Sequence, residues 1–289
     1  MIKTVLGVIG GSGVYQMESA QLIAHHDILT PFGKPSDPVI EAKIGERTVF
    51  FIPRHGKGHR FLPSEVPYRA NIFALKTLGV THVLGVSAVG IMQEEIQPGD
   101  MVVPDQIFDR TAGIRPSTFF GNGVVGHLSF ADPFCPEMRE IAINAAKNAK
   151  ARLYTGGTYV SMEGPAFSTR AESHFYRSTL SPSVIGMTAT PEAKLAREAE
   201  LSYAIIATAT DFDCWHRTEA DVTVEAVLKV LKANSQMVQK IVCEVAKLIP
   251  EFSSADSLSA AKHSIMTAPE FMNSITKENL TPLYGKYWT

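Results

Sequence analysis

Short apolar runs alternate with amphipathic stretches along most of the chain. Continuous apolar runs predict buried strands, whereas apolar positions three and four residues apart predict helices. The predicted strands are 4–9, 39–44, 47–52, 83–87, 101–104, 157–162, 184–188 and 201–207. The predicted helices are one that ends at Gly79, 136–148, one from near Arg170, one from Pro191 to about Ala199, and 223–248. This alternation favours one α/β domain, with 1–250 as its body and 251–289 as a weakly patterned, peripheral tail.

The last predicted strand runs into two carboxylates, Asp211 and Asp213. Because side chains alternate along an extended chain, both acids are expected on one face, with Phe212 opposite. Two carboxylates at the rim of a core repel each other, and sharing a proton raises one pKa. A carboxyl group that stays protonated near neutral pH is a general acid. From this segment alone, a helix cap or a solvated turn remains an alternative.

Three segments that follow predicted strands are suited to an anion. The glycines of 10–13 let backbone N–H groups converge, and Ser12 adds a hydroxyl. Arg54 and His55 follow the strand 47–52, and a guanidinium grips phosphate oxygens through two parallel hydrogen bonds. Ser87 begins a second turn of small residues. Taken singly, each segment is also compatible with a plain turn or a solvated loop.

Composition narrows the class of protein. The chain has 289 residues, 45% of them hydrophobic, which is enough for a large core. A formal net charge of -2 with interspersed signs gives no polyanion-binding surface, so nucleic acid is not an expected partner. No apolar run approaches the ~18 residues of a membrane span. The three cysteines are far apart and form no Cys-x-x-Cys pair, so we expect a cytoplasmic protein without a metal site.

Five motifs occur together in the order seen in purine nucleoside phosphorylases of the trimeric type. The chain resembles above all the branch of that family that acts on 5'-methylthioadenosine, over nearly its whole length up to about Pro250. The motifs are Gly10-Gly11-Ser12-Gly13, Arg54-His55-Gly56, Glu163-Gly164-Pro165 with Phe167-Ser168, Met187-Thr188 with Pro191-Glu192, and Thr210-Asp211-Phe212-Asp213-Cys214-Trp215. The resemblance implies a single α/β domain with a central mixed β-sheet flanked by helices, and a homotrimer.

The resemblance also implies a set of site residues. Phosphate is expected among Ser12, Arg54, His55, Ser87, Ala88 and Thr188. The ribose is expected at Met187, the purine ring at Phe167, and the base edge at Ser168, Asp211 and Asp213. The 5' substituent is expected at Val224, Val227 and Leu228, with His127 approaching from a neighbouring subunit. On sequence grounds alone, His127 is an exposed loop residue and Phe167 a core residue.

The implied reaction is phosphorolysis, in which inorganic phosphate is a co-substrate and no metal or organic cofactor is needed. Asp211 is expected to protonate the purine N7, and Asp213 to accept a hydrogen bond from N6. Related phosphorylases of 6-oxopurine nucleosides usually carry glutamate and asparagine at the positions of Ser168 and Asp211. In many relatives arginine stands at the position of Ala166 and asparagine at that of Gly186, so the resemblance implies a different pocket wall here.

Three alternatives follow from the same residues. One is a purine nucleoside phosphorylase of broader specificity, which accepts adenosine or 6-oxopurine nucleosides. Another is a nucleotide-dependent oxidoreductase that uses the first glycine turn, although Gln16 stands where the third glycine of that fingerprint belongs. The third is a nucleoside sensor without catalytic activity.

Overall fold

A large mixed sheet forms the centre of the protein in a computed structural model that describes residues 1–11, 17, 19–216 and 222–288. The strands of the described part are β1 Ile2–Lys3, β2 Leu6–Gly10, β3 Ala20–His26, β4 Val39–Ile44, β5 Arg47–Pro53, β6 His82–Ile91, β7 Met101–Val103, β8 Gln106–Arg110, β9 Leu153–Thr155, β10 Thr158–Met162, β11 Val184–Gly186, β12 Ser202–Asp211 and β13 Phe252–Ser253. All of them except β1 and β13 join in the large sheet, in the order β3-β4-β5-β2-β6-β11-β10-β8. In the same sheet β12 lies beside β6, β7 beside β12, and β9 beside β7.

Six α-helices lie among the described residues. They are α1 Tyr68–Thr77, α2 Pro136–Asn148, α3 Arg170–Leu180, α4 Ala189–Glu198, α5 Val224–Leu248 and α6 Ser274–Tyr284. A capping box starts α3, since Thr169 Oγ1 accepts from the Glu172 N–H at 3.2 Å while the Thr169 N–H donates to Glu172 at 2.8 Å. In α4, Thr190 is not helical, so the regular turns begin at Pro191 as predicted.

Four parallel strands form the middle of the sheet. In sequence they are nearly continuous apolar runs because helices cover both faces, and β2 and β12 are buried along almost their whole length. The register places Ile9 opposite Gly85 and Gly10 opposite Pro53. The carboxyl ends of β2, β5 and β6 therefore meet at one edge of the sheet, where ligands of open α/β sheets collect.

Three strands of the large sheet escape the sequence pattern. The strand β3 lies at one end of the sheet, and most of its side chains, including Leu22 and Ile23, are exposed. Because neither face of β3 is well buried, its sequence shows no alternation of apolar and polar residues. The strands β8 and β9 are short, and neither has a fully buried residue.

The segment beyond residue 250 is not the peripheral tail predicted from its composition. The strand β13 pairs with β1, and Leu280, Leu283 and Tyr284 are buried in the same hydrophobic core as the central strands. Tyr284 stacks on Phe120 with ring centroids 5.1 Å apart. The apolar residues of this segment fill spaces that distant parts of the chain create, so the segment has little periodicity of its own.

Candidate active site

Three of the predicted phosphate residues, Arg54, Ser87 and Ala88, lie at the edge where β2, β5 and β6 end. The Arg54 N–H donates to the Gly10 carbonyl at 2.9 Å, so the turn after β5 starts beside the end of β2. Ser87 is buried on β6, and Ala88 follows it, partly buried. Ser12, predicted for the same site, lies outside the described residues. The register of the sheet thus brings Arg54, Ser87 and Ala88 to one edge of the sheet.

The guanidinium of Arg54 is used differently from the prediction. Arg54 is 2% exposed, and its Nε and Nη2 donate to the two carboxylate oxygens of Glu192 at 2.7 and 2.8 Å. Its Nη1 donates to the Val86 carbonyl at 2.7 Å and its Nη2 also to Ile9 at 3.2 Å. Burial, the largest single influence, lowers the pKa of Arg54, but the charge and hydrogen bonds of Glu192, with smaller contributions from Tyr203 and Tyr68, together raise it, so the net shift is upward. The fork that was expected to grip phosphate therefore holds Glu192, and one N–H remains.

Buried hydroxyl groups without hydrogen-bond partners surround this ion pair. They are Ser87 Oγ, Thr188 Oγ1, Tyr159 Oη, Thr190 Oγ1 and Tyr68 Oη; none meets the geometry of a hydrogen bond with another described residue, although the Tyr159 hydroxyl lies near those of Ser87 and Thr188. Buried polar groups are almost always hydrogen-bonded, since leaving one unpaired costs about 1–3 kcal/mol. Several such donors in one place are therefore suited to an oxyanion. Burial raises the pKa of Tyr68 and of Tyr159, so both phenols keep their protons and can donate.

The hydroxyl of Tyr159 fills the space that a side chain at Gly186 would need. An ideal Cβ on Gly186 would lie 2.0 Å from Tyr159 Oη and 3.1 Å from a methyl group of Val89. A side chain at position 186 would therefore displace the phenol. In this chain the hydroxyl of Tyr159 occupies that part of the pocket wall.

His55 is held as a neutral imidazole. Its Nδ1 lies 2.9 Å from the Phe61 carbonyl, which can only accept, so Nδ1 carries the proton and Nε2 is an acceptor. The ring stacks on His59 with centroids 4.2 Å apart. Burial, and then the charge of Arg54, lower the pKa of His55 to about 4. His55 therefore adds no positive charge to the site at neutral pH.

The two carboxylates adjoin each other, but not through strand alternation as predicted. The strand β12 ends at Asp211, and Asp213 lies in a turn with φ of 52°. The pair is joined because the Asp213 N–H donates to Asp211 Oδ1 at 2.9 Å. The Thr210 hydroxyl donates to the other oxygen of Asp211 at 2.6 Å. This turn, rather than a shared strand face, brings both acids beside Gly90 at the end of β6.

Desolvation dominates the electrostatics of this pair. Burial raises the pKa of Asp211, and the charge of Asp213 adds to that shift. Burial also raises the pKa of Asp213, although the neighbouring hydroxyls of Ser173 and Ser168 act in the opposite direction. Both acids are thus biased toward the protonated form, which is the requirement for a general acid.

One strand connects the hydroxyl cluster with the acids. Ser87 lies on β6 opposite Ala207 of β12, and Gly90, three residues further, lies opposite Asp211. At ~3.3 Å per strand residue, the two positions are about 10 Å apart. A ligand with an anionic group at one end and a base at the other fits this separation.

A second buried arginine, not found from the sequence, holds the loops beside the acids. Arg115 donates from Nε to Glu163 at 2.7 Å, from Nη1 to the carbonyls of Met187 and Thr190, and from Nη2 to those of Met162 and Glu163. All five of its N–H groups are used. Arg115 thereby fixes the Glu163 turn relative to Met187, and no local pattern in the sequence signals this role.

Of the residues predicted to contact the base, Phe167 is 40% exposed and is therefore not a core residue. Ser168 is partly buried near Asp213, and its carbonyl accepts a weak hydrogen bond from Cys214 Sγ at 3.3 Å. The sulfur of Met187 lies against Gly164, where a Cβ would come within 2.5 Å. Of these three residues, Ser168 is the one that a described contact places beside the acid pair.

The residues predicted for the 5' substituent are not joined to this group. Val224 and Leu228 are 62% and 59% exposed at the start of α5, and Val227 is partly buried. His127 is exposed on a loop whose N–H donates to the Ser264 carbonyl at 2.8 Å.

A cavity of about 630 Å³ lies elsewhere, between the start of α2 and residues 254–260. Cys135, Arg197 and Ser257 are among its lining residues, and none of the predicted site residues belongs to it. The described residues contain no group of three histidine, cysteine or acidic side chains placed to hold a metal ion. Within the same part of the chain, no helix is long and apolar enough to cross a membrane.

The mixed sheet with its flanking helices is a nucleoside phosphorylase fold. The chain belongs to the phosphorylase superfamily, whose family model matches residues 5–247. Two curated relatives are both named S-methyl-5'-thioadenosine phosphorylase. The relative from Geobacter sulfurreducens is 50% identical over 99% of this chain and 100% of its own length. The relative from Chloroflexus aurantiacus is 50% identical over 100% of both chains.

Solved structures of similar proteins carry related names. A methylthioadenosine phosphorylase from an antarctic soil metagenomic library superposes with a TM-score of 0.92 and 46% identity, covering 98% of this chain and 99% of the other. A methylthioadenosine phosphorylase from Schistosoma mansoni in complex with adenine superposes with a TM-score of 0.84 and 40% identity, covering 90% and 96%.

Proposed function

We propose that the protein catalyses phosphorolysis of 5'-methylthioadenosine to adenine and 5-methylthioribose 1-phosphate. The observation that carries this proposal is that β6 holds the buried, unpartnered hydroxyl of Ser87 and, three residues further, lies beside the desolvated carboxyl pair of Asp211 and Asp213. The names of the similar proteins agree with it.

In the proposed reaction, the bond between the anomeric carbon and N9 breaks, and its electron pair enters the purine ring. A protonated carboxyl group at Asp211 gives its proton to N7, which neutralises the leaving base. A phosphate oxygen bonds to the anomeric carbon from the opposite face, and its charge stabilises the oxocarbenium-like sugar. Asp213 accepts from the N6 amino group. Because the two acids titrate as a coupled pair, the proton is a property of the pair and is not assigned to one residue.

Adenine release from 5'-methylthioadenosine, measured with and without phosphate, tests the reaction. Release that requires phosphate and yields a sugar phosphate supports the proposal. Release without phosphate would instead indicate a hydrolase. Removal of trace metals with a chelator should leave the rate unchanged, because we propose that neither a metal nor an organic cofactor takes part.

We further propose that the active unit is a cyclic homotrimer in which His127 completes the site of a neighbouring subunit. Large apolar side chains are exposed near the loop of His127, among them Met266 at 68%. The loop is tied to that segment, since the Met266 N–H donates to the Val125 carbonyl at 2.8 Å. Exposed apolar surface of this kind marks association sites. Light scattering measures the assembly, and a fully active monomer would contradict it.

The same assembly would cover the exposed Val224 and Leu228 at the start of α5. We propose that these residues, with Val227, form the apolar surface that receives the methylthio group. We also propose that the protein is cytoplasmic and that its partners are small molecules, namely the nucleoside and phosphate.

A further inference from the structure

The turn that carries Asp213 has a backbone that needs support from outside. Asp213 has φ of 52°, a left-handed conformation that residues other than glycine rarely adopt. Its N–H bond to Asp211 joins the start of the turn to the end of β12. Residues in such conformations persist where the surrounding structure determines them. The place of Asp213 therefore depends on what holds the chain that follows it.

Trp215 joins this turn to the end of β6. Its indole N–H donates to the Ile91 carbonyl at 2.6 Å, and its side chain is buried. Ile91 directly follows Gly90, which pairs with Asp211. Phe212 meets the indole edge to face, with ring centroids 5.6 Å apart. The two ends of the turn, at Asp211 and Trp215, are thus fixed on consecutive residues of one strand.

One face of α3 also contacts the turn. Arg170 and Arg177 are two helical turns apart and so lie on the same side of α3. Arg170 Nη1 donates to the Cys214 carbonyl at 2.8 Å. The guanidinium of Arg177 lies over the ring of Trp215, 3.3 Å from its centroid, and also 3.5 Å from Glu94. The indole is therefore held at its edge by a hydrogen bond and on its face by a cation.

We propose that Trp215 is a positioning residue, whose bond to Ile91 and contact with Arg177 hold the acid pair at the place where the leaving base must meet it. This inference rests on the proposed function, in which the acid pair contacts the purine. Trp215 acts through the turn rather than on the substrate. A displacement of about 1 Å is enough to cost a reaction about 100-fold in rate.

Trp215→Phe tests the proposal because it keeps a buried aromatic ring and removes the N–H. We expect kcat for adenine release from methylthioadenosine to fall about 10- to 100-fold. The KM for phosphate should stay within about twofold, since Ser87 lies about 10 Å from the acids along β6. Trp288, the only other tryptophan, packs against Tyr284, and Trp288→Phe is the matched control that should keep full activity. Full kcat in Trp215→Phe, or an equal loss in the control, would overturn the proposal.

The pH dependence of kcat separates positioning from packing. Burial raises the pKa of both acids, and a loosened turn admits water, which returns their pKa toward the ordinary value. Trp215→Phe should therefore lose activity at a pH about one unit lower than the unmodified protein does. A less stable variant with unchanged kcat and pH profile would show that Trp215 only packs. The charged or titratable groups around the turn, which neither variant changes, include Glu94, Arg170, Arg177, Cys214 and His216.

A closer analogue decides the matter if Trp215→Phe does not fold. β-(3-Benzothienyl)alanine in place of Trp215 keeps the size and shape of the indole and replaces its N–H with sulfur. The lowered kcat and the shifted pH profile are expected again. Unmodified values of both would contradict the proposal.

Infrared absorption of protonated carboxyl groups gives a readout that needs no turnover. The signal that Asp211→Asn removes should titrate about one pH unit lower in Trp215→Phe than in the unmodified protein. An identical titration would refute the role of Trp215, even in a protein that releases no adenine. A shifted titration without adenine release would refute the reaction and leave the role of Trp215 standing.

Discussion

The buried pair of Arg54 and Glu192 gives the sharpest prediction of stability. Glu192 is 1% exposed and accepts from Arg54 twice and from the Tyr203 hydroxyl at 2.8 Å. The variants are Arg54→Met, Glu192→Met and the double variant, in which two similar unbranched side chains replace the ion pair. The predicted quantity is the free energy of unfolding of each variant relative to the unmodified protein.

The magnitudes follow from what each change leaves behind. Glu192→Met leaves an uncompensated buried guanidinium, and removing one partner of a buried pair costs about 3–5 kcal/mol. Arg54→Met leaves the Glu192 carboxylate and also deprives the carbonyls of Ile9 and Val86 of a donor, so its cost should be at the upper end of that range or above. The double variant leaves no buried charge. We therefore expect its loss to be at least ~2 kcal/mol smaller than the two single losses combined.

Urea unfolding at fixed protein concentration measures these free energies. The exposed pair of Lys34 and Asp27, with side chains 64% and 66% exposed, supplies the control, and Asp27→Asn should cost no more than about 1 kcal/mol. If Glu192→Met costs no more than this control, or if the single losses simply add, the ion pair does not stabilise the fold as argued. A stabilising pair implies that Arg54→Ala both raises the phosphate requirement and destabilises the fold.

Three further predictions concern pH, catalysis and specificity. Burial raises the pKa of Glu198 from 4.5 to about 7. The stability that its protonated form contributes is therefore fully present below about pH 4.5 and is lost as the pH rises through about 7. Glu198→Gln, whose amide oxygen can still accept from Phe119 and Thr118, should flatten this dependence and stabilise the protein by a few kcal/mol at alkaline pH in urea unfolding. Asp211→Asn should lower kcat at least ~100-fold because an amide cannot supply the N7 proton. The unmodified enzyme should lose activity as the pH rises through the raised pKa of the acid pair. An unchanged rate in Asp211→Asn would remove Asp211 from the mechanism. Methylthioadenosine should exceed adenosine in kcat/KM by roughly tenfold or more because an apolar wall leaves a 5'-hydroxyl unpaired. Val224→His should reduce that ratio of kcat/KM values. Inosine as the best substrate would refute the assignment of the base.

Local sequence patterns were sufficient to predict the helices and strands that bury one regular face or lie wholly inside the core. The helix α2 begins at Pro136 and ends at Asn148 as predicted, because proline at its first position and its apolar stripe are both local signals. The hairpin of β4 and β5 was likewise predicted from its turn at Gly45. The family, the fold and the nature of the reaction followed from motif order.

The parts that were missed depend on partners far away in the chain. Glu192 contacts Arg54 across 138 residues, and Arg115 holds carbonyls 47 to 75 residues away. The φ of Asp213 is positive, which an alternating strand pattern does not predict. Such features arise from tertiary packing, and a single sequence carries no signal for them.

The strand β6 has a consequence for how this protein family can diversify. Both Ser87 and the glycine beside Asp211 belong to it, so in the proposed reaction the distance between the phosphate site and the acids at the leaving base is set by backbone geometry inside the sheet. The side chains expected to recognise the two ends of a nucleoside lie instead on loops and at the start of a helix. Substrate preference can therefore drift through mutation of those peripheral positions while the span of the chemical step is inherited unchanged.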